Sequence, residues 1–375
     1  MSNARELAEV ATSYVAGNIT GRNRIINGDM RISQRLGTSS RLCSDIVEYT
    51  LDRWLVISSP QSKLTVQQNA GSVAPPAGFS NYLGLTVTTA ETIDPSDFFN
   101  LIQFIEGYNI ADLSWGTASA KAVTVSFWVR SSVTGTYSFA FRNNGETRSY
   151  VTTYNINAAN TWEQKTITIP GDTSGTWNVT NGRGIEVNYD FGRGSETTTA
   201  NAWTSSGNVR LAGTVKLVEN ASATWQITGV QLEEGSVATP FEHRQYGQEL
   251  ALCQRYCQVF YRSLSSDSLG MSFKQGSNYL IAHIAYQPMR SIPTWANPPT
   301  SWDATGSPSS TQAGAYDFTS GSYVTINSGS LSVINQLSLN HGRLYLQSST
   351  TFSGGSGGGA FGISLGADPI LTAEL

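Results

Sequence analysis

Val123-Thr-Val-Ser-Phe-Trp-Val-Arg130 carries Val, Val, Phe and Val at its odd positions and mostly polar groups between them. Successive side chains of a strand leave on opposite faces, so this spacing writes one dry face and one wet face. The same texture recurs in Thr136-Tyr-Ser-Phe-Ala-Phe-Arg142, Glu163-Gln-Lys-Thr-Ile-Thr-Ile169 and Ile185-Glu-Val-Asn-Tyr-Asp-Phe191. It recurs again in Gly213-Thr-Val-Lys-Leu-Val218 and Trp225-Gln-Ile-Thr-Gly-Val-Gln-Leu232. Turn formers separate the runs: Asn143-Asn144-Gly145, Pro170-Gly171-Asp172 and Gly192-Arg193-Gly194. Many short two-faced strands with regular turns predict a mainly β chain, with a jelly-roll β-sandwich over residues 24–243.

The period changes on either side. Residues 1–23 predict a helix over 4–16, capped by Ser2 or Asn3, with Leu7, Val10 and Tyr14 on one face and Gly17 and Asn18 ending it. A helix this short needs something to dock on. Two readings stand: a terminal helix packed on its own domain, or an oligomerising seam and particle anchor. Residues 244–264 place Tyr246, Leu250, Cys253, Cys257, Phe260 and Leu264 at a four-three-four-three-four spacing, a heptad seam. That stretch reads as a connecting helix packed on a β domain or as a trimer-forming helix. Residues 265–375 return to β texture and predict a smaller C-terminal β-sandwich, a candidate receptor-binding tip. The Pro-rich stretch 287–300 predicts a rigid extended connection.

Composition narrows the function. Of 375 residues only 13% are charged, the net charge is −4, and no Lys/Arg run occurs. Phosphate-backbone binding needs clustered basic surface, so no nucleic-acid partner is expected. No apolar run is long enough to span a membrane and no apolar leader segment is evident, so no membrane partner is expected and synthesis in a cytoplasm is. Cys43, Cys253 and Cys257 give no disulfide framework and read as small buried core residues. His243, His283 and His341 are scattered without zinc spacing.

Three stretches together resemble phage tail-fibre and minor virion proteins. They are Arg24-Ile-Ile-Asn-Gly-Asp-Met-Arg-Ile-Ser-Gln-Arg35 with Tyr49-Thr-Leu-Asp-Arg-Trp54, then Val123–Ser132, then Gly229-Val-Gln-Leu-Glu-Glu-Gly-Ser-Val-Ala-Thr-Pro-Phe-Glu-His243 running into Glu249-Leu-Ala-Leu-Cys-Gln-Arg-Tyr256. The resemblance covers residues 24–262. It implies a jelly roll like that of a carbohydrate-binding module, a structural role in the virion, a homotrimer made in the host bacterial cytoplasm, and no catalytic site. Related jelly rolls often hold a structural calcium. Here Asn27-Gly28-Asp29 matches the early part of that site, while Thr228-Gly229 stands where a late acid belongs, leaving Asp29 as the one candidate ligand and otherwise no cofactor.

Glycan recognition needs aromatic faces beside neutral amides and hydroxyls. Trp115, Trp177 and Trp203 sit in Gly/Ser/Asn-rich loops, and Trp295 and Trp302 flank the Pro-rich stretch, so these five are the candidate glycan contacts. Trp128, Trp162 and Trp225 lie in or beside strands and read as core. Asp94, Asp97, Glu106 and Asp112 form the densest acidic cluster, interleaved with Phe98, Phe99, Phe104 and Tyr108; glycoside hydrolysis would need two of these carboxyls across one cleft. The one Gly-x-Ser-x-Gly match, Gly354–Gly358, has neither a strand-turn-helix setting nor a later His. The expectation is a non-enzymatic virion fibre or adhesin whose partners are itself, other virion proteins and host-surface polysaccharide. The alternatives are an architectural head fibre, decoration or neck protein, and a polysaccharide depolymerase.

Overall fold

A computed structural model describes residues 21–260, 268–275, 279–296, 301–302, 312–317, 322–323, 331–337, 341–348, 360–365 and 370–375, with side chains described for 21–260, 285–296 and 370–375. The helix predicted over 4–16, with Leu7, Val10 and Tyr14, lies outside the described residues. The chain divides into two units, residues 1–250 with Leu375, and residues 251–374.

The strands of the first unit are β1 (Arg41–Leu42), β2 (Val47–Tyr49), β3 (Leu55–Ser59), β4 (Leu64–Gln68), β5 (Leu83–Val87), β6 (Phe98–Glu106) and β7 (Val123–Ser131). They continue as β8 (Gly135–Asn143), β9 (Ser149–Ile156), β10 (Glu163–Ile169), β11 (Arg183–Arg193), β12 (Trp203–Thr204) and β13 (Thr224–Glu234). One sheet runs β1-β4-β5-β13-β7-β10 and the other β12-β9-β8-β11-β6-β3-β2. Successive strands cross repeatedly between the two, giving the jelly-roll sandwich that the alternation predicts.

The core sits between the inner faces. Val123, Val125, Phe127 and Val129 of β7 have zero exposure, as do Tyr137, Phe139 and Phe141 of β8 and Ile185, Val187, Tyr189 and Phe191 of β11. Burying each large side chain contributes about 1.5–3 kcal/mol. On β13 the buried set shifts phase, from Trp225 and Ile227 to Val230 and Leu232. A bulge between Thr228 and Gln231 makes the shift, with Gly229 at φ +62°. A simple period-two count misses that extra residue.

Two local readings change. Gly213–Val218 forms no strand. Leu217–Glu219 is instead a 3-10 turn, in which Leu217 and Val218 are both buried. Gly192-Arg193 is no turn either; β11 runs on to Arg193 through a bulge after Asp190.

The predicted 244–264 helix is shorter than its seam. It spans Tyr246–Gln254, and Tyr256 N–H donates to the Cys253 carbonyl at 2.9 Å as it ends. Cys257–Val259 (β14) then pairs with Ile370–Thr372, so long-range sheet hydrogen bonds override the local helical spacing. Tyr246 is 59% exposed, whereas Cys253 and Cys257 are buried. Leu250 and Phe260 are half-buried, and Leu264 lies outside the described residues. These residues therefore form no continuous stripe on one helix.

The second unit goes on with β15 (Ser268–Gln275), β16 (Tyr279–Ala285), β17 (Thr294–Trp295), β18 (Ser301–Trp302), β19 (Gln312–Asp317) and β20 (Ser322–Tyr323). Its last strands are β21 (Leu331–Leu337), β22 (His341–Ser348), β23 (Ala360–Leu365) and β24 (Ile370–Thr372). A larger sheet runs β18-β19-β23-β15-β16-β22-β21, with β20 on β19, and a three-stranded sheet runs β14-β24-β17.

Candidate functional site

The three loop tryptophans face one another rather than solvent. Ring centroids of Trp115, Trp177 and Trp203 lie 4.8, 5.3 and 5.4 Å apart, all edge to face. Trp115 is 5% and Trp177 6% exposed, so their expected exposure does not hold; Trp203 is half-buried. Each indole N–H is used: Trp115 on the Lys121 carbonyl, Trp177 on Asp172 and Trp203 on the Pro170 carbonyl. Gly-rich loops fold these large rings back onto the end of the sandwich, where area burial and edge-to-face contact outweigh exposure. Arg148 clamps Asp172 with two hydrogen bonds of 2.6 and 2.8 Å, which locks the cluster's rim. Trp295 is buried as well, at 7% exposure, and the Trp302 side chain lies outside the described residues. Trp225 is core as read, whereas Trp128 and Trp162 are half-buried.

Around β8 and β11 the outer face of the seven-stranded sheet is polar and closed, whereas over β3 and β6 it carries the apolar side chains Leu55, Ile102 and Phe104. Arg142 on β8 stands opposite Glu186 on β11, and Asp190 stands opposite Asn100 on β6. All four are buried, with Asn188 between the acids. The 194–216 loop lies over them. Arg210 bonds Asp190 and, at 2.9 Å, Glu196, while Val209 packs on Ala140 and Val151. Burial pushes Asp190 up to about 6 and raises Glu186, against the pull of their arginines. Arg142 Nε, Asn100 Oδ1 and Asn188 Oδ1 have no partner, but no ligand reaches them with the loop in place.

Two of the three stretches that carry the resemblance, Arg24–Trp54 and Gly229–Tyr256, form a knot. Asn27, fully buried at φ +58°, donates from Nδ2 to the Ile32 and Asp52 carbonyls at 2.8 and 3.0 Å and accepts from Ile32 N–H at 2.9 Å. Trp54 Nε1 donates to the Asn27 carbonyl, and Gln34 donates twice to the Asp52 carboxylate. Glu249 accepts from Asn27 N–H and pairs with Arg244, which also caps the Ile25 carbonyl. A Cβ at Gly28 would meet the Val230 carbonyl at 2.1 Å, so only glycine lets these backbones touch.

Clefts that open to solvent among the described residues include the following three. The first, about 520 Å³, is lined by Arg22, Arg24, Asp112, Glu233 and Glu234 and is filled with ion pairs. Two hydrogen bonds from Arg24 hold the Asp112 carboxyl below its usual range, so it stays ionised. Within the expected acidic cluster, Asp97 and Glu106 stand at opposite ends of β6. Asp97 caps its own turn by accepting from Asp94 N–H, and Glu106 lies at the far end of β6. At strand rise that is about 30 Å, far beyond a glycosidase pair.

The second cleft, about 430 Å³, lies between the 143–148 hairpin and the 174–182 loop. Its lining is Asn143, Asn144, Gly145, Thr147, Thr176, Asn178, Val179 and Thr180, without one charged side chain. Asn143 and Asn178 brace the two loops by bonding Thr147, Arg148 and Thr180 backbone N–H groups at 2.8–3.0 Å. Asn144 and Thr147 are exposed. The third cavity, about 210 Å³, is walled by Asp29, Arg31, Phe79, Ser80, Asn81, His243 and Arg244.

Asp29 has a guanidinium on it: Arg31 Nε donates to its Oδ2 at 2.5 Å. Among the described residues no group of three or more His, Cys, Asp or Glu is placed to hold a metal, so the calcium reading rests on Asp29 alone.

No protein-family model matches the sequence, and no curated protein matches it. Among solved structures, a putative sugar binding protein from Bacteroides thetaiotaomicron aligns over 57% of this chain and all of its own, at 11% identity and a TM-score of 0.34. The enzymatically active domain of bacteriophage CBA120 tailspike protein 4 aligns over 57% of this chain but 22% of its own, at 15% identity and a TM-score of 0.31. A family 61 carbohydrate-binding module in complex with β-1,4-galactotriose aligns over 57% of this chain and 99% of its own, at 14% identity and a TM-score of 0.28.

Proposed function

We propose that the chain is a structural protein of a bacteriophage particle, a homotrimeric tail fibre or adhesin that binds host-surface glycan without cleaving it. The observation that carries the glycan reading is the uncharged cleft of Asn143, Asn144, Thr147, Asn178 and Thr180. Amides and hydroxyls match sugar hydroxyls as donors and acceptors, and no charge there favours an ion instead. The virion reading rests on the resemblance of the Arg24–Arg35, Val123–Ser132 and Gly229–Tyr256 stretches. Three linked copies would raise weak single-site affinity by avidity.

Binding of the full chain to purified host capsule or lipopolysaccharide tests the reading. Asn144→Ala with Thr147→Ala, both at exposed positions, should lower retention and cell attachment while the sedimenting species stays a trimer. Unchanged attachment removes the adhesin claim, a monomer removes the trimer, and release of reducing ends would make the protein a depolymerase. One observation favours an architectural alternative, a head fibre, decoration or neck protein: the outer face of the seven-stranded sheet over β8, β9 and β11 is covered by the chain's own 194–216 loop. Antibody labelling of intact particles separates these positions.

A further inference from the structure

We infer that the cavity beside Phe79 and His243 seats one neutral hexopyranose ring. The inference rests on the glycan reading and adds a second place of contact and the class of sugar unit. Its volume of about 210 Å³ falls below the roughly 300–1,000 Å³ of pockets for drug-sized ligands and suits a single ring.

Phe79, Phe241 and His243 form one aromatic corner, with centroids 5.1 Å (Phe79–Phe241), 5.5 Å (Phe79–His243) and 4.9 Å (Phe241–His243) apart. Phe79 is held against the β13 bulge: a Cβ at Gly229 would meet its Cζ at 2.6 Å. Phe79 and Phe241 stay half-buried and His243 exposed, so ring surface remains for the C–H face of a sugar.

The polar wall has unused capacity. Asp29 Oδ1 is buried without a partner, which is costly unless a ligand hydroxyl satisfies it. Asn81 Oδ1 accepts from Asn69 Nδ2 at 3.0 Å, which orients the amide and leaves its own NH₂ to donate. Ser80, exposed, adds a hydroxyl. The charges point to a neutral ligand. Arg31 is paired with Asp29 and Arg244 with Glu249, so each guanidinium charge is already balanced and does not single out a sugar carboxylate. Those same arginines disfavour a metal cation.

Saturation-transfer NMR on the full chain tests this with methyl α-glucopyranoside, methyl β-galactopyranoside, methyl α-mannopyranoside and methyl N-acetyl-β-glucosaminide. Transfer to at least one is expected. Asp29→Asn should weaken it about tenfold or more, the loss of a charge-assisted hydrogen bond. His243→Ala, at an exposed position, should weaken it several-fold with the unfolding midpoint unchanged. Silence from all four sugars, or both variants behaving as wild type, overturns the inference. Loss of transfer on adding EDTA overturns it too, since a cation would then occupy the cavity. Polysaccharide retention that survives these results but falls in Asn144→Ala/Thr147→Ala leaves the glycan reading standing without this seat. Absence of both polysaccharide and monosaccharide binding sinks both.

Discussion

Arg210, carried on the 194–216 loop, meets Asp190 of β11 with no solvent on either side chain. The pair fastens the loop over the sheet, and Arg210 also donates to the Thr214 and Val215 carbonyls, closing the loop on itself.

A pH dependence follows. Burial raises Asp190 from 3.8 to about 6, so the folded state holds this proton more tightly than the unfolded chain. Its favourable contribution is complete below pH 3.8 and is lost as pH rises through about 6, a change of about 3 kcal/mol. Glu186, also raised, acts in the same direction. The stability of Asp190→Asn relative to wild type should therefore rise by about that amount between pH 4 and pH 7 in urea unfolding. A difference that stays flat across the range would contradict the assignment.

Asn27→Ala removes three side-chain hydrogen bonds and puts alanine at a left-handed φ of +58°. At about 1 kcal/mol per bond plus strain, unit-one stability should fall by about 3–5 kcal/mol. Chemical denaturation measures it, and a loss under 1 kcal/mol would deny the knot its role.

Trp115→Ala should cost about 3–5 kcal/mol through the cavity it leaves. Glycan retention per folded molecule should not change, because no Trp115 surface is offered to a ligand. Selective loss of retention at full stability would restore tryptophan stacking as the binding mode.

Cys43 is fully buried and its thiol is pushed up to about 12, chiefly by burial and then by Glu48. Only the thiolate reacts readily. A thiol reagent at pH 8 should leave Cys43 unmodified in the native chain and modify it in urea, as peptide mapping would reveal.

The sandwich was legible because its signal is repeated: Val123–Val129 and Ile185–Phe191 each state the same buried face in period two. Gly213–Val218 shows the limit. Its alternation is as good on paper, yet the neighbouring Arg210 clamp and a φ of +78° at Gly213 turn the chain away. The helix over 244–264 failed at Cys257 for a similar reason, since its strand partner lies more than a hundred residues downstream. Loop tryptophans misled because composition tells how polar the surroundings are in sequence, not what Trp115, Trp177 and Trp203 find in space. The 143–148 and 174–182 cleft joins two loops that nothing local pairs. The corner of Phe79 and His243 is likewise assembled across the sandwich. A hint existed there: Gly229 interrupts an otherwise strong strand, which marks close approach by another group.

Within the second unit, Cys257–Val259 and Ile370–Thr372 are neighbours in one sheet. The polypeptide thus goes in and comes out at adjacent places, as in a cassette held by two contiguous joints. Residues 260–369 leave and rejoin one sheet on adjacent strands, the arrangement in which a segment is replaced without altering the residues of the first unit.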